Sequence, residues 1–327
     1  MEDNGTVPHR DLITRLAGGP ISWGVCEVPG WGLQLPVDRV LDEMREAGLT
    51  ATELGAIGWL PTEPDALRAK LDAHGLNLVG AFVPIVAHDP ARRAESVATA
   101  EEMAGLLQAT GARHFVTALV NDPADWSRPT LSEDQWEHMV EVVDEIDILT
   151  ADHGLQQVLH PHVATLVETA DELERFLSAS DVPFCLDTGH VTIGGADALD
   201  LAKRHADRVA LVHLKDVRSD VGARLAIGEL GLMAAVQAGV FAPLGDGDVP
   251  VADVIIALES QGYDGLYVLE QDVAITGEEP PAGEGPVRDV AKSVAYLRSL
   301  QPALRSLAGG ERATGSTTTD HHRGTDP

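Results

Sequence analysis

Cysteine is nearly absent from this chain: two residues among 327, Cys26 and Cys185, each inside an apolar run. Two thiols so far apart give no disulfide framework and no cysteine-based zinc site, so both read as small core fillers. Basic residues are scarce too. Lys and Arg total 23 against 52 Asp and Glu, a formal charge of −29. Such a surface repels phosphate backbones and anionic lipid, which argues against nucleic acid and membrane as partners. No run approaches the ~18 apolar residues that a membrane-spanning helix needs. No apolar signal-peptide segment opens the chain, so a reducing cytoplasm is the expected compartment. A glycine-rich dinucleotide fingerprint is also missing after every strand-like run.

What is present is a repeated alternation of apolar strand and amphipathic helix. Strand-like runs are predicted at Ile21–Cys26, Ala51–Leu54, Leu78–Val83, His114–Leu119, Gln157–His160, Phe184–Asp187, Val209–Leu214 and Gly265–Glu270. Between them, apolar residues recur at helical spacing and glycines such as Gly48, Gly75, Gly111 and Gly154 mark the helix ends. Ser132 with Gln135, and Thr169 with Glu172, have capping-box spacing at two helix starts. Eight strand–helix units of this kind predict an α/β fold, a single-domain (β/α)8 TIM barrel. The polar stretch 1–19 reads as a flexible leader, 20–306 as the barrel, and 307–327 as a disordered tail. The long interval between the last two strands reads as a helix plus an insertion at the barrel mouth. Its Gly245–Asp248 segment is either a closing loop or an ordinary turn.

Four polar clusters stand at the right-hand ends of these runs. They are His160-Pro161-His162, Asp187-Thr188-Gly189-His190, His213-Leu214-Lys215-Asp216 and Glu270-Gln271-Asp272. In a barrel the carboxyl ends of the strands converge on one mouth, so these side chains become neighbours. Carboxylates with imidazoles, leaving open positions, suit a divalent cation. Each residue alone has a plainer reading. Asp187 could simply cap the next helix, His213 could be a bonded core histidine, and Glu270 could pair with Lys215 or Arg218. The coincidence of four clusters favours a metal site.

The motifs Ile21-Ser22-Trp23-Gly24, Thr52-Glu53-Leu54-Gly55, His160-Pro161-His162, Asp187-Thr188-Gly189-His190, Val212-His213-Leu214-Lys215-Asp216 and Leu269-Glu270-Gln271-Asp272 resemble the sugar phosphate isomerase/epimerase superfamily. That superfamily of xylose isomerase-like barrels also includes endonuclease IV, and the chain looks most like its inosose dehydratase branch. The resemblance implies a metal held by Asp187, His213 and Glu270. A fourth ligand, usually a glutamate, falls here on His160, with Glu168 as the alternative. Mn²⁺ or Co²⁺ is the implied ion, with Mg²⁺ or Zn²⁺ as alternatives.

The implied reaction is loss of water from a keto-inositol or similar cyclic polyol ketone through an enediolate, with ketose isomerisation or epimerisation as the alternative. His162 is then the expected base, His190 an acid or hydroxyl contact, and Lys215 a stabiliser of the enolate. Trp23, Glu53 and Glu168 are expected to line the substrate pocket. The implied partner is a small polyol or sugar, with self-association as a further expectation.

Overall fold

The computed structural model describes residues 11–314 except 27 and 125, with side chains to residue 306. The strands are β1 (Leu16–Gly18), β2 (Ala51–Thr52), β3 (Asn77–Leu78), β4 (Gly80–Ile85), β5 (His114–Leu119), β6 (Gln156–Leu159), β7 (Phe184–Asp187), β8 (Val209–Leu214), β9 (Asp216–Val217), β10 (Phe241–Ala242) and β11 (Tyr267–Leu269). The helices are α1 (Val37–Ala47), α2 (Pro64–His74), α3 (Arg93–Thr110), α4 (Glu133–Asp152), α5 (Ala170–Ala179), α6 (Thr188–Ile193), α7 (Ala198–Arg204), α8 (Ser219–Ala226), α9 (Leu232–Gln237), α10 (Val251–Ser260) and α11 (Pro286–Thr314).

One parallel sheet runs in the order β3-β2-β1-β11-β8-β7-β6-β5-β4. Its two ends, β3 and β4, are halves of one strand broken at Val79. The Val79 amide donates to Thr52 O, while its carbonyl accepts from His114 N. The sheet therefore closes on itself, and the expected TIM barrel is the fold. Closure needs Gly80, because a Cβ there would stand 2.1 Å from the His114 carbonyl oxygen. The barrel interior is filled by Ala17, Ala51, Val79, Val116, Val158, Cys185, Leu211 and Val268, a side chain from each staff of the barrel. Both capping boxes form: Ser132 with Gln135 opens α4, and Thr169 with Glu172 opens α5.

The chain start departs from expectation. Residues read as a leader contain a short 3-10 helix, Leu12–Arg15, and the first barrel strand, Leu16–Gly18. The segment expected as strand one is instead a 3-10 turn, Pro20–Trp23, ended by Gly24 at φ 84°. Pro20 favours that helical start and Gly24 turns the chain back, so no extended run can form there. At the other end, α11 continues to Thr314, past the expected barrel limit at 306. The rest of the expected tail, 315–327, lies outside the described residues. The long interval before β11 holds α8, α9, α10 and the antiparallel β9–β10 pair. Among the described residues, no helix is long and apolar enough to cross a membrane.

Candidate metal centre and active site

Side chains two residues apart on a strand share a face. Cys185 and Leu211 point into the barrel, so Asp187 and His213 do too, one layer nearer the mouth. Val158 brings His160 inward in the same way. As a result His160, Asp187, His213 and Glu270 offer ligand atoms that all lie within 4.8 Å of one another. His160 Nε2 is 3.5 Å from Asp187 Oδ2, and His213 Nδ1 is 3.8 Å from the same oxygen. His213 Nδ1 also lies 3.0 Å from Glu270 Oε2.

Asp187 serves both of the roles read for it. Its Oδ1 caps α6, accepting from Gly189 N at 2.9 Å and His190 N at 2.8 Å. Its Oδ2 has no hydrogen-bond partner although the residue is fully buried. Both ring nitrogens of His160 are likewise buried and without hydrogen bonds. Orphaned buried polar atoms are costly unless something satisfies them. Two imidazole nitrogens and two carboxylate oxygens with such orphans among them fit a divalent cation.

The surroundings are strongly electrostatic. Burial disfavours the Asp187 and Glu270 carboxylates, but Lys215 outweighs it, helped by His160 at Asp187 and His213 at Glu270. Both carboxyls are held below the usual range. Burial pushes His160 down, keeping it neutral and able to coordinate. His213 goes the other way: burial lowers it, yet Cys185, Glu53 and Glu270 together hold it well above the usual range.

Lys215 is 1% exposed. Its ammonium donates to Asp272 Oδ1 at 2.7 Å and sits 2.9 Å from His190 Nε2 and 3.0 Å from Glu270 Oε2. Lys has three donors and no acceptor, so these partners use all of them. Expected to face the substrate, Lys215 is instead the cation that knits the cluster together. His190 is also buried, and it backs His162 with ring centroids 3.7 Å apart.

His162 differs from the other three histidines of the cluster in being partly exposed. The Val163 carbonyl accepts from its Nδ1 at 2.6 Å, which fixes the proton there and leaves the lone pair on Nε2. Burial, then His160 and Lys215, push its pKa down to about 3, so the ring is neutral over the whole ordinary pH range.

Two of the three expected pocket residues, Trp23 and Glu168, lie elsewhere. Trp23 is fully buried, its indole N–H donating to Glu43 on α1 at 2.9 Å, because the chain around it is a 3-10 turn and not a strand. Glu168 is drawn away from the cluster by Arg128, 3.1 Å away, and by the Ala164 amide at 2.7 Å. It pins the loop that follows His162, and the fourth position of the cluster is taken by His160. Glu53 lies in the cluster but behind it, its Oε1 accepting from His213 Nε2 at 3.0 Å, where it orients that ring.

The aromatic wall was missed in the sequence. Phe82 and Trp126 stack with centroids 6.0 Å apart and planes 6° from parallel, and both rings stand against His162. The available signal was position: Trp126 follows the end of β5, in a loop at the mouth. Asp216, grouped with the candidates, has a structural task. Its carboxylate accepts from the amides of Val217, Gly245, Gly247 and Val249 at 2.9–3.0 Å. The Gly245–Asp248 segment is thus a tied turn.

A closed parallel barrel whose metal-type ligands sit at the strand ends defines a class, and comparison with known proteins agrees. The chain belongs to the xylose isomerase-like TIM barrel family, whose model it matches over residues 41–300. It is 32% identical over 275 residues to an inosose dehydratase of Geobacillus kaustophilus, covering 80% of this chain and 89% of that one. A rhizopine catabolism protein of Rhizobium meliloti is 34% identical over 271 residues, covering 80% and 82%. Among solved structures, an L-ribulose 3-epimerase shares the fold with a TM-score of 0.68 at 17% identity, over 93% of this chain and 100% of that one.

Proposed function

We propose that this chain is a divalent-metal-dependent dehydratase acting on a keto-inositol or a similar cyclic polyol ketone. The observation that carries the reading is the asymmetry of the mouth. At the end of β6 stand two imidazoles, His160 and His162, where a two-carboxylate epimerase would place a glutamate opposite Glu270. One partly exposed imidazole, neutral at rest, remains to handle protons. The dehydratase name of the Geobacillus kaustophilus relative supports the same reading.

His160, Asp187, His213 and Glu270 would hold the ion, with Mn²⁺ or Co²⁺ the best match to mixed nitrogen and oxygen donors. When bound, it supplies Lewis acidity toward a ketone oxygen and so makes the neighbouring C–H more acidic. His162 Nε2 takes that proton, the only imidazole lone pair of the cluster that a substrate can reach. The same group then returns it to the departing hydroxyl, so one residue serves as base and acid. His190 and Lys215 act from behind, fixing the His162 ring and the Glu270 carboxylate. Phe82 and Trp126 offer a flat apolar wall for the C–H face of a ring.

The test incubates purified protein with Mn²⁺ and a panel of keto-inositols and ketoses, following loss of water by mass spectrometry. Dehydration of the cyclic ketone is expected. Epimerised or isomerised ketose without water loss would overturn the reading. His162→Asn is expected to keep the metal and to stop exchange of the substrate α-proton with deuterated solvent.

A further inference from the structure

Directly beneath the four-residue centre lies a group that the proposed reaction does not use. Cys185 stands two residues before Asp187 on β7 and shares its face, so it is one layer deeper, about 6.6 Å along a strand rising ~3.3 Å per residue. It is fully buried among the small side chains of the barrel interior. Ligand atoms of Cys185, His160 and His213 all lie within 4.8 Å of one another. His160, 1% exposed, brings two ring nitrogens with no hydrogen-bond partner.

We propose that the barrel has a second, alternative cation position, formed by Cys185 Sγ with His160 and His213, that takes a soft divalent ion such as Cd²⁺ or Zn²⁺. The inference rests on reading His160, Asp187, His213 and Glu270 as a metal centre, since the two positions share both imidazoles and exclude each other. Donor chemistry separates them. The upper set pairs its imidazoles with carboxylates and suits Mn²⁺ or Co²⁺; the lower set pairs them with a thiolate and suits softer ions. Geometry permits the lower set: a tetrahedral ion with bonds of ~2.0–2.3 Å needs its donors roughly 3.5 Å apart. Side-chain rotations on the order of 1 Å close the gap from the observed spacing. Binding converts Cys–SH and M²⁺ into Cys–S–M⁺ and one proton, released to the buffer. Soft ions would then inhibit by competing for His160 and His213, and not by filling the upper position.

Cadmium titration tests this, read through the ultraviolet thiolate-to-cadmium charge-transfer band. Wild type is expected to show the band at one equivalent, with release of one proton. Cys185→Ala and Cys185→Ser should lose the band and hold Cd²⁺ about 1,000-fold more weakly, beyond the 10–100-fold typical of an outer partner. Their Mn²⁺ affinity should stay within about threefold of wild type, since Cys185 is no ligand of the upper set. Because Cys26 is the only other cysteine, persistence of the band in Cys26→Ser assigns the thiolate even where a Cys185 variant fails to fold. A band absent from wild type, or retained in a folded Cys185 variant, overturns the proposal. Asp187→Asn distinguishes the two readings: it should lose Mn²⁺ and keep the cadmium–thiolate band. Wild type that binds Mn²⁺ without any band sinks the lower position alone. A band with no Mn²⁺ binding sinks the upper one alone.

Discussion

Lys215→Met is the most demanding test of how the centre is held. Lys215 faces Asp272 at 2.7 Å, Glu270 at 3.0 Å and Asp187 at 3.5 Å, all in a nearly water-free setting. Removing one partner from a buried ion pair leaves uncompensated charge and costs about 3–5 kcal/mol. Unfolding entropy of ~2.1 cal/mol/K per residue over ~300 residues converts this to a fall of roughly 5–8 °C in Tm. The loss should depend on pH. Asp272 is already pushed up to about 6, burial being the main cause. Without Lys215 its pKa rises further, so it can take a proton and relieve the repulsion. A carboxyl with a raised folded-state pKa gives stability that is complete below the unfolded value and lost as pH rises through the folded one. The gap between variant and wild type should therefore be wide at pH 8 and narrow at pH 5.5. Calorimetry in chelator at both values measures it. Lys215→Arg should not rescue, because the Lys215 stem already packs against Gly189, where a Cβ would stand 2.6–2.9 Å from it. A variant melting within ~1 °C of wild type at pH 8 would refute the reasoning, since an uncompensated buried charge cannot be that cheap.

Glu53→Gln should weaken Mn²⁺ binding by about 10–100-fold with the fold intact, as loss of an orienting partner does; titration calorimetry reads it, and unchanged affinity would remove Glu53 from that role. Asp216→Ala strips the acceptor from four amides, and with ~1–3 kcal/mol for each unsatisfied buried group it should cost about 3 kcal/mol or more. Hydrogen exchange at residues 245–249 should accelerate, and unaltered protection there would contradict the tied-turn account. His114 is buried and burial pushes its pKa down to about 4. Between pH 6.5 and 4 the unfolded chain takes a proton that the folded chain refuses, so stability falls as pH falls through that window, by about 3 kcal/mol. His114→Gln should flatten that slope in denaturant titrations, and an equally steep slope would exclude His114 as its source.

What the sequence discloses follows from the range of the interactions concerned. Ser132–Gln135 and Thr169–Glu172 are readable because a capping box is local. Asp187, His213 and Glu270 are readable because each ends an apolar run, and a barrel forces strand ends together. β1 is not readable: a three-residue strand beside Gly-Gly-Pro carries no periodic signal. Trp23, expected at the mouth, therefore belongs to the packing under α1. The choice between His160 and Glu168 hangs on Arg128, forty residues away in sequence from Glu168 and in a different loop. Lys215 is visible as a charged residue at a strand end, but that all its donors are spent emerges only when Asp272, His190 and Glu270 meet it.

In the proposed centre, the exchange of glutamate for His160 also changes the charge. As ligands, neutral His160 and His213 with ionised Asp187 and Glu270 sum to −2, which a divalent cation cancels. Lys215 and Asp272 cancel each other at 2.7 Å. A glutamate at position 160 would make a loaded centre one charge more negative. The chain as a whole already carries −29. Binding a phosphate ester would need a cation with donors to spare at the mouth. The cation packed against the cluster has none to give: Lys215 is held by Asp272, Glu270 and His190. On the proposed reading, this electrostatic setting favours an uncharged polyol ketone over a sugar phosphate. The partly exposed faces of Phe82 and Trp126 fit the same choice, since they offer area to a ring and no charge to a phosphate.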